Sequence, residues 1–171
     1  MKSAFSVLLL CFLLASCGEE KEKTVETEEA VETEKTIQER AEAGDAEAQN
    51  TLGSMYYKGL RVPQDYVEAV KWYRMAAEQG NAQAQSNLGE MYAYGDGVPQ
   101  DDVEAVKWWR KAAEQGNPDG RVNLGMMYAV GAGGVAQDTA KAMELYRMAA
   151  EQDGYADVEE WLEKYSKEKG D

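Results

Sequence analysis

The chain contains no histidine, and this absence removes several kinds of catalytic chemistry. Its 171 residues also include only two cysteines and three prolines. Without histidine the sequence cannot form a Ser-His or Cys-His nucleophile pair, an imidazole base or a zinc site with histidine ligands. Because Cys11 and Cys17 are the two cysteines, the chain beyond residue 17 has neither disulfide nor thiol chemistry.

Positive charge is also scarce, with 18 Lys and Arg against 32 Asp and Glu and a net charge of −14. Because the phosphates of nucleic acid require a basic surface, we expect no nucleic-acid partner. The excess is concentrated at the ends: residues 18–40 carry nine acids and four bases, and residues 150–171 carry eight and three. Residues 41–149 carry 15 acids and ten bases. The excess of acidic residues therefore indicates that the two ends keep the protein soluble. It is weaker evidence for an acidic binding surface on the repeats.

The N-terminus resembles the signal of a bacterial lipoprotein. Residues 4–14 form an apolar run of 11 residues, which is shorter than the ~20 needed to cross a bilayer but suits a secretory signal. Leu14-Ala15-Ser16 before Cys17 resembles a lipobox. The resemblance implies a signal peptide over residues 1–16, acylation of Cys17 and an acidic flexible tether over residues 17–30. An ordinary secretory signal with an incidental cysteine is the alternative.

The residue after the cysteine bears on the location. In Gram-negative lipoproteins an Asp at this position favours the inner membrane, whereas this chain has Gly18. The resemblance therefore implies an outer-membrane lipoprotein that faces the periplasm, or a cell-surface protein in a Gram-positive host. The acylated Cys17 would make the membrane itself a partner.

A threefold repeat dominates the rest of the chain. Residues 41–76 and 77–112 align without a gap and share 23 of 36 positions, and residues 113–149 repeat the pattern with one extra residue. A period of 36 predicts one helix pair per repeat and an all-α solenoid of helix-turn-helix units. Residues 31–44 and 150–171 retain parts of the pattern with more polar faces, which predicts a capping helix at each end.

Apolar spacing predicts the core of each helix pair. In repeat two, Ala84, Leu88 and Tyr92 recur every four residues in the first helix, and Trp108 lies on the facing stripe of the second. Trp72 is its counterpart in repeat one. We therefore expect the tryptophans and tyrosines to belong to the core.

Glycine and acidic residues recur in phase as well. Gly53, Gly89 and Gly125 fall inside predicted helices, where glycine costs ~1 kcal/mol relative to alanine. Their recurrence indicates a close approach between helices that leaves no space for a Cβ. Asp65 and Asp101 each precede a glutamate by three residues, which predicts helix N-termini closed by capping boxes.

Several co-spaced motifs resemble the Sel-one-like repeat family (SLR, or Sel1-like repeat), relatives of the tetratricopeptide repeat. They are Leu-Gly-x-Met-Tyr, Gly-x-Gly-Val-Pro-Gln-Asp and Ala-Val-Lys-Trp-Trp-x-Lys-Ala-Ala, and the match covers residues 41–149. The resemblance implies a right-handed superhelix whose first helices line a concave, protein-binding face. Arg61, Gly120 and Ala136 depart from the pattern and leave the local turn geometry open.

Motifs for catalysis or cofactor binding are missing. No serine lies in a Gly-x-Ser-x-Gly or Ser-x-x-Lys sequence, and no glycine-rich phosphate loop or calcium loop is present. Paired acids such as Asp101-Asp102 are typical of caps and solvated faces. We therefore expect no enzymatic activity, no cofactor and no metal.

Ligand contacts are expected on the first helices, at positions outside the apolar stripe. Thr51, Asn87 and Asn123 form one column there, and Ser54, Glu90 and Met126 form another. Amide side chains can both donate to and accept from an extended peptide. A structural role for the two asparagines is the alternative. The candidate peptide-binding residues are Thr51, Asn87, Glu90, Asn123, Met126 and Tyr94.

These features predict a membrane-anchored, non-catalytic protein-interaction module, a scaffold or adaptor of the bacterial envelope. One alternative is β-lactam binding or cell-wall hydrolysis, as described for some secreted SLR proteins, although those resemble cysteine-paired repeats and this chain has no such cysteines. The other alternative is an inhibitor or immunity lipoprotein. It shares the fold and differs only in its partner.

Overall fold

The computed structural model describes residues 36–152. Within that range there are seven helical segments and no strand. The first, α1, covers residues 36–42. The other six are α2 (Ala46–Lys58), α3 (Tyr66–Glu78), α4 (Ala82–Tyr94), α5 (Asp102–Glu114), α6 (Pro118–Val130) and α7 (Thr139–Ala150). The predicted signal peptide, Cys17, the tether and nearly all of the C-terminal capping helix lie outside the described residues.

The helices form three pairs that stack in series. α2 packs on α3, α4 on α5 and α6 on α7, while α3 contacts α4 and α5 contacts α6. The equivalent leucines Leu52, Leu88 and Leu124 are buried in the first helix of each pair. Because a single pair cannot bury both of its apolar faces, stacking on neighbours supplies the core. The predicted all-α repeat fold is confirmed.

The glycines inside the first helices lie against aromatic rings of the second helices, as predicted. A Cβ on Gly53 would lie 2.7 Å from Cδ1 of Tyr73, and one on Gly89 would lie 2.5 Å from Nε1 of Trp109. A Cβ on Gly125 would meet Cε1 of Tyr146 at 2.8 Å. These separations are too short for any side chain, so the glycines set how closely the two helices of each pair approach.

This close packing corrects the prediction that Trp108 belongs to the core stripe. The fully buried aromatic position is one residue further along, at Tyr73, Trp109 and Tyr146, because that ring fills the space that glycine leaves. Trp72 is buried as expected, but Trp108 is only half-buried. Tyr94, which the sequence places outside the apolar stripe as a candidate ligand contact, is 72% exposed.

The N-terminal caps occur where the sequence places them, with one difference. Asp65 and Asp101 each accept two backbone N–H groups of the next helical turn. The reciprocal half of the capping box is absent, because the Asp65 N–H donates to the Tyr56 carbonyl and Glu68 pairs with Lys71 instead. The Asp65 side chain therefore caps α3 by itself, because it accepts the two N–H groups that have no partner within the helix.

The inter-helix turns share a positive φ at one equivalent position despite the departures in sequence, although the third turn is one residue longer. Arg61 has a positive φ of 64°, close to the φ of 69° at Gly97 and 62° at Gly133. At Gly97 a Cβ would also lie 2.4 Å from the Tyr66 carbonyl oxygen of the preceding repeat, and at Gly133 it would lie 2.7 Å from the Asp102 carbonyl oxygen. Glycine is thus required twice over at the two later turns, by backbone conformation and by the stacking of repeats.

A buried glutamine in the first helix of each of the first two helix pairs bonds to the end of the helix that precedes the pair. Gln49 donates to the Ala41 carbonyl and accepts from Gln79. Gln85 donates to the Ala77 carbonyl and accepts from Gln115 in the same way. These bonds satisfy carbonyl groups at helix ends that have no partner within the helix. They also fix the spacing between repeats.

Candidate functional site

The first helices of the three repeats together form one surface of the protein. We call it the first-helix face, and it comprises the side chains of α2, α4 and α6 that point away from α3, α5 and α7. Hydrogen bonds between side chains connect these helices, because Asn87 donates to Asn50 over 3.0 Å and Asn123 donates to Glu90 over 3.2 Å. The two predicted columns of ligand contacts therefore belong to a single continuous surface.

A groove lies between α2 and α4 on this face, with a volume of about 240 Å³. The buried ring of Tyr73 lies beneath it, and the Tyr73 hydroxyl donates to Ser54 over 3.1 Å. Most of the lining groups are polar and can donate or accept hydrogen bonds. They are Asn50, Ser54, Tyr57, Lys58, Tyr73, Gln83, Asn87, Glu90 and Met91.

Amide side chains form a network at one end of the groove. Asn87 donates to Asn50 and accepts from Gln83 at 3.2 Å. Gln83 also donates to Asp119 and accepts from Asn117 of the next repeat. Asn87 thus makes the inter-helix contact that the structural alternative predicted. Its second amide hydrogen is still able to bind a ligand in the groove, since an amide carries two N–H donors.

Glu90 is the acidic group of the groove, and its environment is unfavourable for charge. Burial raises the pKa of Glu90 above its ordinary value, and the nearby Asp119 raises it further. The hydrogen bond that Asn123 donates acts in the opposite direction and lowers this pKa. Removing a carboxylate from water without a cation destabilises its charged form. The groove therefore contains a carboxylate that a positive group would stabilise.

Four of the predicted residues do not line this groove. Thr51 donates to the backbone carbonyl of Glu47 within its own helix, which leaves its hydroxyl engaged locally. Tyr94 on α4 and Met126 on α6 are exposed, at 72% and 47% respectively. The structure therefore places Asn87 and Glu90 in the groove, and Asn123 is connected to it through its hydrogen bond to Glu90.

Several groove residues were not among the candidates from sequence. Asn50 and Gln83 hold Asn87 through hydrogen bonds, and Tyr73 lies beneath the groove. No periodic signal marks Asn50, because its equivalents in the other repeats are Ser86 and Val122. Gln83 could have been found from the sequence, because Glu47, Gln83 and Asp119 recur every 36 residues. These polar residues lie one helical turn before Thr51, Asn87 and Asn123.

A second concavity, of about 270 Å³, differs from the groove because one helix supplies all of it. Its lining side chains belong to α5, among them Trp108 and Lys111, whose ammonium lies 4.0 Å from the ring centroid. Glu104 pairs with Lys107 on the same helix. Charged pairs of this spacing are typical of a solvated helix surface. The groove is therefore the better candidate site.

Within residues 36–152, no three His, Cys, Asp or Glu side chains are grouped so that they could hold a metal ion. None of the helices in that range is both long enough and apolar enough to cross a bilayer.

The repeats match a known family along most of the chain. A model of the Sel1 repeat matches residues 46–81, 82–117 and 118–154. The chain belongs to the Sel1 repeat family. The repeats of this family typically serve as protein-interaction modules and are generally non-catalytic. In the family model each Sel1 repeat begins at the first helix of a pair. This start lies five residues after the starts of the sequence repeats at residues 41, 77 and 113.

Two solved structures of Sel1 repeat proteins are similar in both sequence and fold. One is c5321, a protective antigen of uropathogenic Escherichia coli with an SLR fold, at 47% identity and a TM-score of 0.66. The match covers 69% of this chain but only 25% of that protein. The other is a Sel1 repeat protein of Oxalobacter formigenes, at 38% identity and a TM-score of 0.67, covering 75% of this chain and 96% of that one.

A third structure shares the fold alone. Helicobacter pylori cysteine rich protein B is 19% identical with a TM-score of 0.56, and the match covers 73% of this chain and 96% of that protein. No curated protein sequence matched the chain.

Proposed function

We propose that this Sel1 repeat protein binds an extended segment of a partner protein on the first-helix face, in the groove between α2 and α4. The observation that carries the proposal is a polar groove between the first helices of two repeats, on helices that also carry exposed apolar side chains such as Tyr94 and Met126. An extended peptide presents alternating backbone donors and acceptors. The asparagine, glutamine and hydroxyl groups of the groove can bind both kinds.

The groove supports binding better than catalysis. Its hydroxyl groups have no neighbouring histidine, because the chain contains none. Glycoside hydrolysis requires two carboxyl groups that flank the bond, and the lining residues include one, Glu90. We therefore propose a scaffold or adaptor that is not an enzyme.

We also propose that the chain is a lipoprotein anchored in the bacterial envelope through Cys17. The lipobox-like sequence ahead of Cys17 supports this, and Gly18 supports an outer-membrane location facing the periplasm in a Gram-negative host. Labelling cells with an alkyne fatty acid tests the anchor. We expect label on the wild-type chain and none on Cys17→Ser, whereas equal labelling of both would contradict lipidation at this residue.

Site-specific photo-crosslinking in the bacterial host tests the binding face. A photoreactive amino acid at Tyr94, on the first-helix face, is compared with one at Val67, at the start of α3, because both side chains are more than half exposed. We expect a discrete crosslinked partner band from position 94 and none from position 67. Identical bands from both positions, or no band from either, would contradict binding on this face.

A further inference from the structure

The groove contains one partly buried carboxylate, Glu90, that has no ion-pair partner among the described residues. Within residues 36–152 no lysine or arginine forms an ion pair with Glu90, and its hydrogen bond comes from the neutral amide of Asn123. Proteins seldom leave a charged side chain desolvated and unpaired, because the cost is large unless a partner compensates it. The carboxylate is thus a group whose natural complement is missing from the described protein.

The charged groups around Glu90 do not supply that complement. Asp119 on α6 is acidic and disfavours the charged form of Glu90. Lys58 lines the groove, but it is exposed in the last turn of α2, where a cation interacts favourably with the negative end of the helix dipole, and it forms no ion pair with Glu90. The charged group that acts on Glu90 is therefore another acid.

The size of the groove limits what can enter. At about 240 Å³ it is smaller than the ~300–1,000 Å³ typical of pockets for drug-sized ligands. It has room for one long side chain, with Tyr57 and Ser54 available to contact the aliphatic part and the polar head. A single arginine or lysine side chain fits both the volume and the charge.

The first-helix face becomes apolar beyond Glu90. Along equivalent positions, Ser54 and Glu90 are followed by Met126, and Lys58 and Tyr94 are followed by Val130. Met126 is 47% exposed and Val130 is 67% exposed. These two exposed apolar side chains lie one turn apart on α6, the first helix that follows α4 in the stack, and apolar surface beside polar surface is typical of an interaction site. An occupant that spans both regions must carry a basic and an apolar side chain in sequence.

We propose that the partner segment is an extended basic–apolar peptide, in which an arginine or lysine enters the α2–α4 groove and pairs with Glu90 while a nearby large apolar residue contacts Met126 and Val130. This inference rests on the proposed peptide-binding function and specifies the chemistry of the peptide. The neutral amide network around Asn87 binds the intervening backbone. Glu90 and Asp119 disfavour an acidic side chain at this position.

Selection from a random peptide library, displayed against the purified full chain, tests the proposal. We expect enrichment of sequences in which arginine or lysine lies within a few residues of Leu, Ile, Phe or Met. Enriched peptides without a basic residue, or with acidic ones, would overturn this inference while leaving peptide binding intact. Failure to enrich any peptide would overturn both the inference and the proposed function.

The role of Glu90 is then measured with synthetic versions of an enriched peptide. Replacement of its basic residue by neutral citrulline removes the cation at nearly constant shape, and we expect binding to wild type to weaken about tenfold or more. Against Glu90→Gln, which keeps the acceptor for Asn123, the two peptides should bind within about twofold of each other. Glu144→Gln, an exposed carboxylate on α7, is the matched control and should retain the tenfold difference.

Equal binding of the two peptides to wild type would contradict pairing with Glu90. So would a tenfold difference that persists in Glu90→Gln. Circular dichroism of the variant distinguishes these outcomes from unfolding, since the helix content should match that of wild type.

Discussion

The two sides of the first helices differ in how strictly they repeat. On the side that faces the partner helix, glycine recurs at Gly53, Gly89 and Gly125, and a buried aromatic ring meets it each time. On the first-helix face the equivalent positions read Ser54, Glu90 and Met126. Packing leaves no freedom on the first side, whereas the second side varies without affecting the core. The repeated side therefore specifies the fold, and the varied side is where recognition can differ between repeats.

The largest expected effect is on the repeated side, at the buried aromatic position. Trp109→Ala removes a ring that is 3% exposed and whose indole N–H donates to the Ser86 carbonyl. We expect a loss of about 3–5 kcal/mol in the free energy of unfolding, measured by urea denaturation. Trp108→Ala is the matched control and should cost clearly less, because that ring is half-buried. Equal losses would contradict the assignment of Trp109 to the core.

A smaller loss is expected from Gly89→Ala. The new Cβ would lie 2.5 Å from Nε1 of Trp109, and overpacking of this kind costs about 1–3 kcal/mol. The gain of ~1 kcal/mol in helix propensity offsets part of that loss. Tyr94→Ala, on the first-helix face of the same helix, should change stability by less than about 0.5 kcal/mol. A stabilised Gly89→Ala protein would show that the two helices do not need this close approach.

The glutamine contacts between repeats should have an intermediate effect. Gln85→Ala removes one of the two donors to the Ala77 carbonyl, which keeps the Gly80 N–H, and the shorter of the two bonds that the Gln115 amide donates. The loss of a buried hydrogen bond of this kind costs about 0.5–1.5 kcal/mol. Gln115→Ala removes only the exposed end of the same chain of bonds and should cost less. If urea denaturation gives the same value for both variants, the buried bond to Ala77 does not hold the repeats together.

Glu90 should give the smallest effect and one that depends on pH. Its pKa is raised by burial, so the folded protein binds this proton more tightly than the unfolded chain does. Stability from this group is therefore highest below its ordinary pKa of 4.5 and falls as pH rises through the raised value. As pH rises through this range, we expect Glu90→Gln to become more stable relative to wild type. The free energy of unfolding of both proteins, measured by urea denaturation at a series of pH values, checks this.

Asn123 provides a further check on the direction of this effect. Its hydrogen bond lowers the pKa of Glu90, so Asn123→Ala should raise that pKa further and shift the pH-dependent loss to higher pH. A difference between wild type and Glu90→Gln that does not change with pH would contradict the environment described for this carboxylate.

The positions of the repeats and their helices could be predicted, because the spacing and the residue types recur along the sequence. A spacing of 36 residues, in-phase glycines and Asp65 and Asp101 at the caps are visible in a single sequence. They also correspond to local geometry, such as a Cβ that cannot fit or an N–H group that needs an acceptor. The all-α fold and the tight packing at Gly89 followed from these features.

The buried aromatic and the groove could not be predicted in the same way. Trp108 and Trp109 are adjacent and chemically identical, so their residue type does not decide which one fills the space that Gly89 leaves. Asn50 has no counterpart in the other repeats, so no column marks it as the partner of Asn87. Such contacts depend on how neighbouring helices are oriented, which periodicity alone does not give.

The most direct test of peptide binding on the first-helix face is carbon-13 methyl NMR of the methionines during titration with an enriched basic–apolar peptide. Met91 lines the groove and Met126 lies beside it, whereas Met75 is on α3 and Met148 is on α7, each more than a third exposed. We predict that the Met91 and Met126 signals shift with the peptide and that those of Met75 and Met148 do not. Shifts at Met75 or Met148 without any at Met91 and Met126 would contradict the account.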